Sequence, residues 1–161
     1  MTRRTKLVLD QFLPYRLSLA SNLVSDTVAT AYEAAFGLRI PEWRLVAVIA
    51  ETDAISQFEI CRRTRMDKVT VSRAAIALAG RQLIEHAPNP EDQRSHVLAL
   101  TAQGRELYGR IAPKALAIEA QIFGGFKPGE LRAFVSMLER IDAAAYAVGG
   151  GPSAPPRKSF A

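Results

Sequence analysis

Hydrogen-bonding and cationic side chains are concentrated in the segment Asp67-Lys68-Val69-Thr70-Val71-Ser72-Arg73. Lys68 and Arg73 can neutralise phosphates, and the hydroxyls of Thr70 and Ser72 can hydrogen-bond to base edges. Arg73 is the best candidate to read a base, because a guanidinium can donate two parallel hydrogen bonds to guanine. These residues predict a nucleic-acid contact, provided that one rigid element presents them together.

A second candidate contact lies in the polar segment Pro88-Asn89-Pro90-Glu91-Asp92-Gln93-Arg94-Ser95, between two runs of β-like sequence at residues 84–87 and 96–100. The runs and the turn residues between them predict a β-hairpin with a long tip. At that tip, Arg94 can enter a narrow minor groove, whose negative potential attracts arginine, and Asp92 can hold Arg94 in position. The hairpin is therefore predicted to contact DNA as well.

A short helix is predicted to precede the first segment. Ser56 and Glu59 have the spacing of a capping box, so a helix is expected over residues 57–64. Ser56 and Gln57, at its start, are two further candidate DNA contacts. A tight turn is expected at residues 65–66.

A second helix is predicted over residues 68–83, with Asp67 as its N-cap. Val71, Ala75 and Leu78 form its apolar stripe, so the candidate DNA-binding side chains project away from the core. Helix, tight turn, helix and β-hairpin in this order define a winged helix-turn-helix, in which the second helix fits the major groove. The predicted fold class is mainly α with a small β-wing.

Longer amphipathic helices are predicted on both sides of this unit. One is expected over residues 9–35, and helices within residues 102–147 run over 102–123 and onward from Pro128. Another helix is expected over residues 41–51. We expect a single domain with its winged-helix part at residues 38–100, and a disordered tail, rich in Gly and Pro, at residues 149–161.

Composition limits the function classes. The chain of 161 residues has 48% apolar residues, enough for a core, and a net charge of +5, which favours polyanionic partners. Its single cysteine excludes an intramolecular disulfide, and no apolar run is long enough to span a bilayer, so we expect a cytoplasmic protein without membrane contact. No nucleophile motif, phosphate-binding glycine loop or metal cluster is present, so we expect no enzyme and no cofactor.

From Ile55 to Gly104, the sequence resembles the MarR family of bacterial transcription regulators. The resemblance rests on the segment that begins at Asp67, on the wing Pro90-Glu91-Asp92-Gln93-Arg94, and on Leu100-Thr101-Ala102-Gln103-Gly104. It implies a triangular homodimer in which the first and last helices of two subunits interlock. Such a dimer would bind two half-sites of a pseudo-palindromic operator in double-stranded DNA, most often as a repressor.

Two positions depart from the family pattern. Gln93 stands where the family commonly has a first arginine after the wing aspartate, which removes one expected contact. Gln82 stands where a glycine usually ends the recognition helix, and a non-glycine residue would be strained in a left-handed cap. We therefore expect the helix to end differently, through Gly80.

The first helix contains a candidate effector site. Arg16 stands on the apolar stripe, where an unpaired cation is costly, and Ala20 leaves room beside it. The surroundings of Tyr15, Arg16 and Trp43 are similar to a MarR branch that governs hydroxycinnamate or related aromatic catabolism, which implies a small aromatic carboxylate or an aromatic acyl-CoA as effector. Tyr15 and Trp43 can stack on such a ring. A salt bridge of Arg16 to a protein carboxylate is the alternative.

Other readings of the sequence are less well supported. Cys61 is expected to pack on the apolar face of its helix rather than sense oxidants, and His86 and His96 lack a third metal ligand nearby. A winged-helix protein-interaction module without sequence-specific DNA binding is the main rival. The placement of Lys68, Arg73 and Arg94 favours DNA.

Overall fold

A computed structural model describes residues 6–150, 155, 157 and 158. The helices are α1 (Leu13–Ala29), α2 (Glu33–Phe36), α3 (Ile40–Thr52), α4 (Gln57–Thr64), α5 (Lys68–Gly80), α6 (Ala102–Phe123) and α7 (Pro128–Gly149). The strands are β1 (Ala54–Ile55), β2 (Ile84–Pro88) and β3 (His96–Leu100). The predicted fold class, mainly α with a small β-wing, is confirmed. No helix of the described residues combines the length and apolarity needed to cross a membrane.

The prediction of one continuous helix over residues 9–35 is wrong. Leu9–Gln11 forms only a 3-10 turn, and α1 begins at Leu13, so that Pro14, which has no amide hydrogen, falls in its first turn. At the other end, the amides of Ala31 and Tyr32 bond three residues back, which tightens the last turn and directs both side chains into the core.

The core lies between α3, α5, the sheet and the first half of α6. Its largest fully buried side chains come from each of these layers, from α4 and from the segment between α1 and α3: Tyr32, Leu38, Leu45, Val46, Ile49, Ile60, Val71, Leu78, Leu98 and Ile111. Cys61 is half-buried and packs against this cluster, as predicted. The predicted bounds of α4 and the start of α5 are confirmed.

Only half of the predicted capping box forms at α4. The hydroxyl oxygen of Ser56 accepts a hydrogen bond from the amide of Glu59, at 3.2 Å. The carboxylate of Glu59 does not reach back to Ser56 but pairs with Arg62 and Arg63, at 2.9 and 3.1 Å. Two guanidinium partners on the following turn outcompete one backbone amide.

The end of α5 corrects the expectation for Gly80. Gly80 is the last helical residue and has ordinary helical geometry, whereas Gln82 itself adopts the left-handed conformation, with φ of 59°. The amide of Leu83 donates to the carbonyl of Leu78 and that of Gln82 to the carbonyl of Ala79, which is a Schellman motif. Burial of Leu78 and Leu83 offsets the strain at Gln82.

The three strands form an antiparallel sheet with the order β1-β3-β2, and the hairpin of β2 and β3 is the wing. Strands β2 and β3 pair from Ile84 with Leu100 to Pro88 with His96, which confirms the predicted hairpin. Strand β1, which the sequence analysis did not predict, pairs Ala54 with Ala99. It ties the end of α3 to the wing.

Helix α6 has the predicted bounds, and the Thr101 hydroxyl caps it by accepting from the amide of Gly104, at 3.0 Å. Helix α7 continues to Gly149, the first residue of the predicted disordered tail. Among the described tail residues, Pro155 is buried, Arg157 pairs with Asp142 and Lys158 pairs with Glu51. The disordered tail stays a prediction. Positions 151–154, 156 and 159–161 of the predicted tail lie outside the described residues.

Gly104 is predicted to be essential for packing. A Cβ at this position would overlap the carbonyl oxygen of Leu83, which already accepts a hydrogen bond from the amide of Thr101. We expect Gly104→Ala to lower the free energy of unfolding by about 1–3 kcal/mol, measured by urea denaturation. Gly109→Ala on the same helix, where a Cβ meets nothing, should instead raise it by about 0.5–1 kcal/mol. Equal effects of the two substitutions would contradict this account.

Candidate nucleic-acid interface

Helix α5 has two opposite faces. Val71, Ala74, Ala75 and Leu78 are buried against the rest of the winged helix. On the other face, residues at the same helical spacing remain accessible, namely Val69, Ser72, Arg73 and Ile76. We call these four residues the outer face of α5. It carries a guanidinium, a hydroxyl and two apolar side chains, which is the mixture that base edges and thymine methyl groups require.

Val69 and Ile76 were missed as candidate contacts. They are 56% and 69% exposed, respectively, which is unusual for β-branched apolar side chains. Their spacing from Ser72 and Arg73 was visible in the sequence and could have placed them on the same face. Phe58 on α4 is also exposed and was not singled out.

The N-terminus of α5 is fixed by Asp67. One carboxylate oxygen of Asp67 accepts from the Thr70 amide at 2.8 Å, and the other accepts from the Thr70 hydroxyl at 2.9 Å. These hydrogen bonds lower the pKa of Asp67. Because the Thr70 proton is committed to Asp67, Thr70 can offer DNA only its lone pairs. Lys68 is exposed in the first turn.

The turn between α4 and α5 is built as predicted, and Arg65 adopts the left-handed conformation there with φ of 59°. Its guanidinium lies 5.1 Å from the ring centre of Tyr146 on α7. Ser56 and Gln57 are half-buried at the start of α4, where the Ser56 oxygen is occupied by capping. Their role as DNA contacts stays a prediction.

Hydrogen bonds within the tip make the wing compact. The Asn89 side-chain amide donates to the Ser95 hydroxyl at 2.9 Å, and the Asp92 carboxylate accepts from the backbone amide of Arg94 at 3.0 Å. Asp92 thus orients the backbone of Arg94 rather than its guanidinium. The guanidinium is exposed and pairs with no carboxylate of the described residues.

Charge is distributed unevenly over this region. Arg62 and Arg63 are paired with Glu59, and this contact lowers the pKa of the Glu59 carboxyl. Lys68, Arg73 and Arg94, by contrast, form no ion pair within the described part of the chain. Helix α5 and the wing therefore carry cations that are free to contact phosphates.

Within the described residues, no side-chain hydrogen bond, ion pair or ring contact joins Trp43 to Tyr15 or Arg16 of the candidate effector site. Trp43 is half-buried and stacks between Tyr32 and Tyr108, with ring centres 5.4 and 5.8 Å away. Burial raises the pKa of Tyr32. Sequence periodicity could not anticipate this stack, since its members come from three separate elements.

Tyr15, Arg16 and Ala20 are all exposed on α1. Arg16 forms no ion pair with a carboxylate among the described residues, so the alternative salt bridge is not made within that part of the chain. His86 and His96 lie on neighbouring strands with their rings 6.4 Å apart. Across the described ranges, no group of three or more His, Cys, Asp or Glu residues is placed to hold a metal ion.

Helices α4 and α5, the turn between them and the hairpin wing define a winged helix-turn-helix protein. Residues 36–95 match the model of the MarR family. Over 86 residues the chain is 29% identical to the HTH-type transcriptional repressor NicR of Pseudomonas putida, a match that covers 53% of this chain and 54% of NicR. The chain thus spans about half the length of this relative.

Solved structures agree with this match. A MarR/EmrR family transcriptional regulator from Acinetobacter sp. ADP1 superposes with a TM-score of 0.77 at 27% identity, covering 84% of this chain and 95% of that chain. Residues 36–95 therefore resemble the MarR family in sequence, and the chain shares the winged-helix fold of these regulators.

Two solved structures with lower identity share the fold. BpsR of Bordetella bronchiseptica, whose DNA binding is regulated by 6-hydroxynicotinic acid, has a TM-score of 0.74 at 23% identity over 84% of this chain and 96% of its own. CouR of Rhodococcus jostii RHA1, solved with p-coumaroyl-CoA bound, has a TM-score of 0.75 at 20% identity over 84% of this chain and 95% of its own.

Proposed function

We propose that the protein is a homodimeric transcription regulator in the cytoplasm, a repressor that leaves its operator when it binds a small aromatic acid or the CoA thioester of one. The observation that carries DNA binding is the outer face of α5, with Arg73 exposed and unpaired beside exposed Val69 and Ile76. Arg94 adds a second free guanidinium on the wing. The match to the MarR family and the regulation of BpsR by 6-hydroxynicotinic acid support the same function.

Apolar surface that one chain leaves uncovered supports the homodimer. None of the described residues of α7 is buried, and large apolar side chains are exposed on α1, on the end of α6 and on α7. Between α6 and α7 lies an open apolar groove of about 550 Å³, lined by Leu116, Phe123, Phe126, Phe134 and others. A monomer rarely exposes so much contiguous apolar surface.

Dimer formation would also favour anion binding by Arg16, because it would bury the guanidinium. Its neighbours Phe12 and Leu13, one turn away, and Leu17, the next residue, are 42%, 79% and 42% exposed in one chain. If a partner subunit covers them, Arg16 becomes enclosed by apolar groups and needs a counter-charge, which a ligand carboxylate can supply bidentately. The acid described for BpsR and the thioester bound by CouR are the two ligand classes that fit the proposal.

Release from DNA requires that the ligand prefers one dimer conformation. A ligand held between α1 and the winged helix would favour dimers in which the two α5 helices miss the spacing of successive major grooves. Operator affinity then falls by the ratio of the ligand affinities for the two conformations.

Loss of Arg73 should weaken discrimination between sequences. An operator can be selected from a pool of random duplexes with the wild-type protein, and its affinity compared with that of random DNA by fluorescence anisotropy. We expect Arg73→Ala to reduce this discrimination by about 1–3 kcal/mol, because a base contact is lost, while Arg94→Ala lowers affinity for both duplexes more evenly. Lys127→Ala, which removes one exposed charge from the turn between α6 and α7, is the control.

Undiminished operator preference in Arg73→Ala would contradict the assignment of α5 as the helix that reads the operator.

The salt dependence of DNA binding distinguishes a DNA-binding protein from the alternative, a protein-interaction module. If Lys and Arg side chains neutralise DNA phosphates, counterions are released, so the observed binding constant for DNA falls steeply as the salt concentration rises. Absent binding, or binding that salt does not weaken, would favour the interaction module.

A charge in the groove should break the dimer. We expect Phe134→Glu to shift sedimentation from dimer to monomer or unfolded chain, because a carboxylate would be buried without a partner. Phe58→Glu, an identical change on exposed α4, should leave the dimer intact. Equal dimer stability in the two variants would exclude α7 from the interface.

Arg16→Ala should bind the operator normally but respond weakly to ligand. The measurement is release of labelled operator on titration with 6-hydroxynicotinic acid or p-coumaroyl-CoA, with Ser18→Ala on the same helix as the control. Release by a ligand with the wild-type affinity in Arg16→Ala would exclude Arg16 from the effector site. Loss of folding in this variant would instead assign Arg16 a structural role.

A further inference from the structure

Three cations surround Phe36, the last residue of α2. The guanidinium of Arg110 and the ammonium of Lys114 lie 5.0 and 5.1 Å from the centre of its ring. The guanidinium of Arg81 donates to the carbonyl of Phe36 at 2.7 Å and to that of Gly37 at 3.3 Å. We call Arg81, Arg110 and Lys114 the Phe36 cluster.

The charges of the Phe36 cluster are not compensated. None of the three pairs with a carboxylate of the described residues, although Glu33 lies on α2 itself and Glu106 lies one turn before Arg110. All three side chains are exposed, whereas the Phe36 residue they cover is only 8% exposed. One aromatic ring attracts cations weakly and leaves their mutual repulsion in place, so an anion would stabilise the arrangement.

The Phe36 cluster lies beyond the C-terminal end of the outer face of α5. Arg81 directly follows α5, about 7.5 Å along the helix axis beyond Ile76 and about 12 Å beyond Arg73. Arg110 and Lys114 lie in the middle of α6, the long helix that leads away from the wing. An anion bound here would touch both the helix proposed to read DNA and a helix proposed to hold the dimer.

We propose that the Phe36 cluster binds the phosphates of a small molecule that carries a diphosphate. Arg81 uses two of its five N–H donors on backbone carbonyls, so donors of Arg81, Arg110 and Lys114 remain for phosphate oxygens. The diphosphate could belong to the CoA part of a thioester or to a free nucleotide. If it belongs to CoA, the inference rests on the proposed function and assigns the effector to the thioester class.

Isothermal titration of the full chain without DNA tests this proposal, with coenzyme A, ADP and pyrophosphate as probes. We expect Arg110→Ala/Lys114→Ala to weaken binding of each probe at least tenfold, since each lost charged hydrogen bond costs about that factor. Arg105→Ala/Arg132→Ala removes the same charge from exposed positions and should change the affinities less than twofold. Arg105 lies five residues before Arg110, about 140° around the helix.

The probes separate the two sources of the diphosphate. Tighter binding of coenzyme A than of ADP assigns the site to a CoA thioester, and equal binding assigns it to a free nucleotide. No binding of any probe, or equal weakening in the two double variants, would overturn the proposal. Since the titration contains no DNA, this result can be read even if the protein fails to bind an operator. A normal circular dichroism spectrum confirms that each variant is folded.

Discussion

The proposed DNA-binding surface depends on α5 being packed against the core on one side only. Val71 and Leu78 are fully buried, and burial of each stabilises the fold by about 1.5–3 kcal/mol. Between them, the small side chains of Ala74 and Ala75 allow close approach of the neighbouring elements. Rotating α5 about its axis would expose these residues and bury Arg73, which is costly in both directions. The orientation of the outer face therefore follows from packing alone, before any DNA is bound.

Both ends of α5 are fixed by local hydrogen bonds. Asp67 closes the N-terminus with the amide and hydroxyl of Thr70, and the Schellman motif at Gln82 closes the C-terminus and directs the chain into β2. The wing is tied in turn to α3 by β1 and to α6 by the Thr101 hydroxyl, which donates to the carbonyl of Gln82 at 2.7 Å. The element proposed to read DNA thus connects directly to the helix that leads to the proposed dimer interface. A ligand bound near α1 or at the Phe36 cluster would therefore be separated from α5 by only a few packed elements.

Sequence reasoning succeeded where one side chain decides the local structure. Ser56, Asp67 and Thr101 each cap a helix at the predicted residue, because a side-chain oxygen satisfies free amides within one turn. Sequence-based prediction failed where packing between distant residues determines the local conformation. The break after Ala29 and the stack of Trp43 on Tyr32 and Tyr108 depend on the tertiary core. Gln82 takes a strained conformation because buried Leu78 and Leu83 require it, which a local rule that expects glycine cannot anticipate. On the outer face of α5, Ser72 and Arg73 could be predicted from their polar side chains, whereas Val69 and Ile76 were missed because only polar side chains were considered as DNA contacts.

The central claim is that the outer face of α5 lies in the major groove. The most direct measurement is photo-crosslinking from a benzophenone amino acid placed at Ile76, with the same amino acid at exposed Lys127, in the turn before α7, as the control. We expect a crosslink from position 76 to a major-groove base of the selected operator, and none from position 127. A protein that binds the operator but crosslinks to it only from position 127, or from neither position, would contradict the claim.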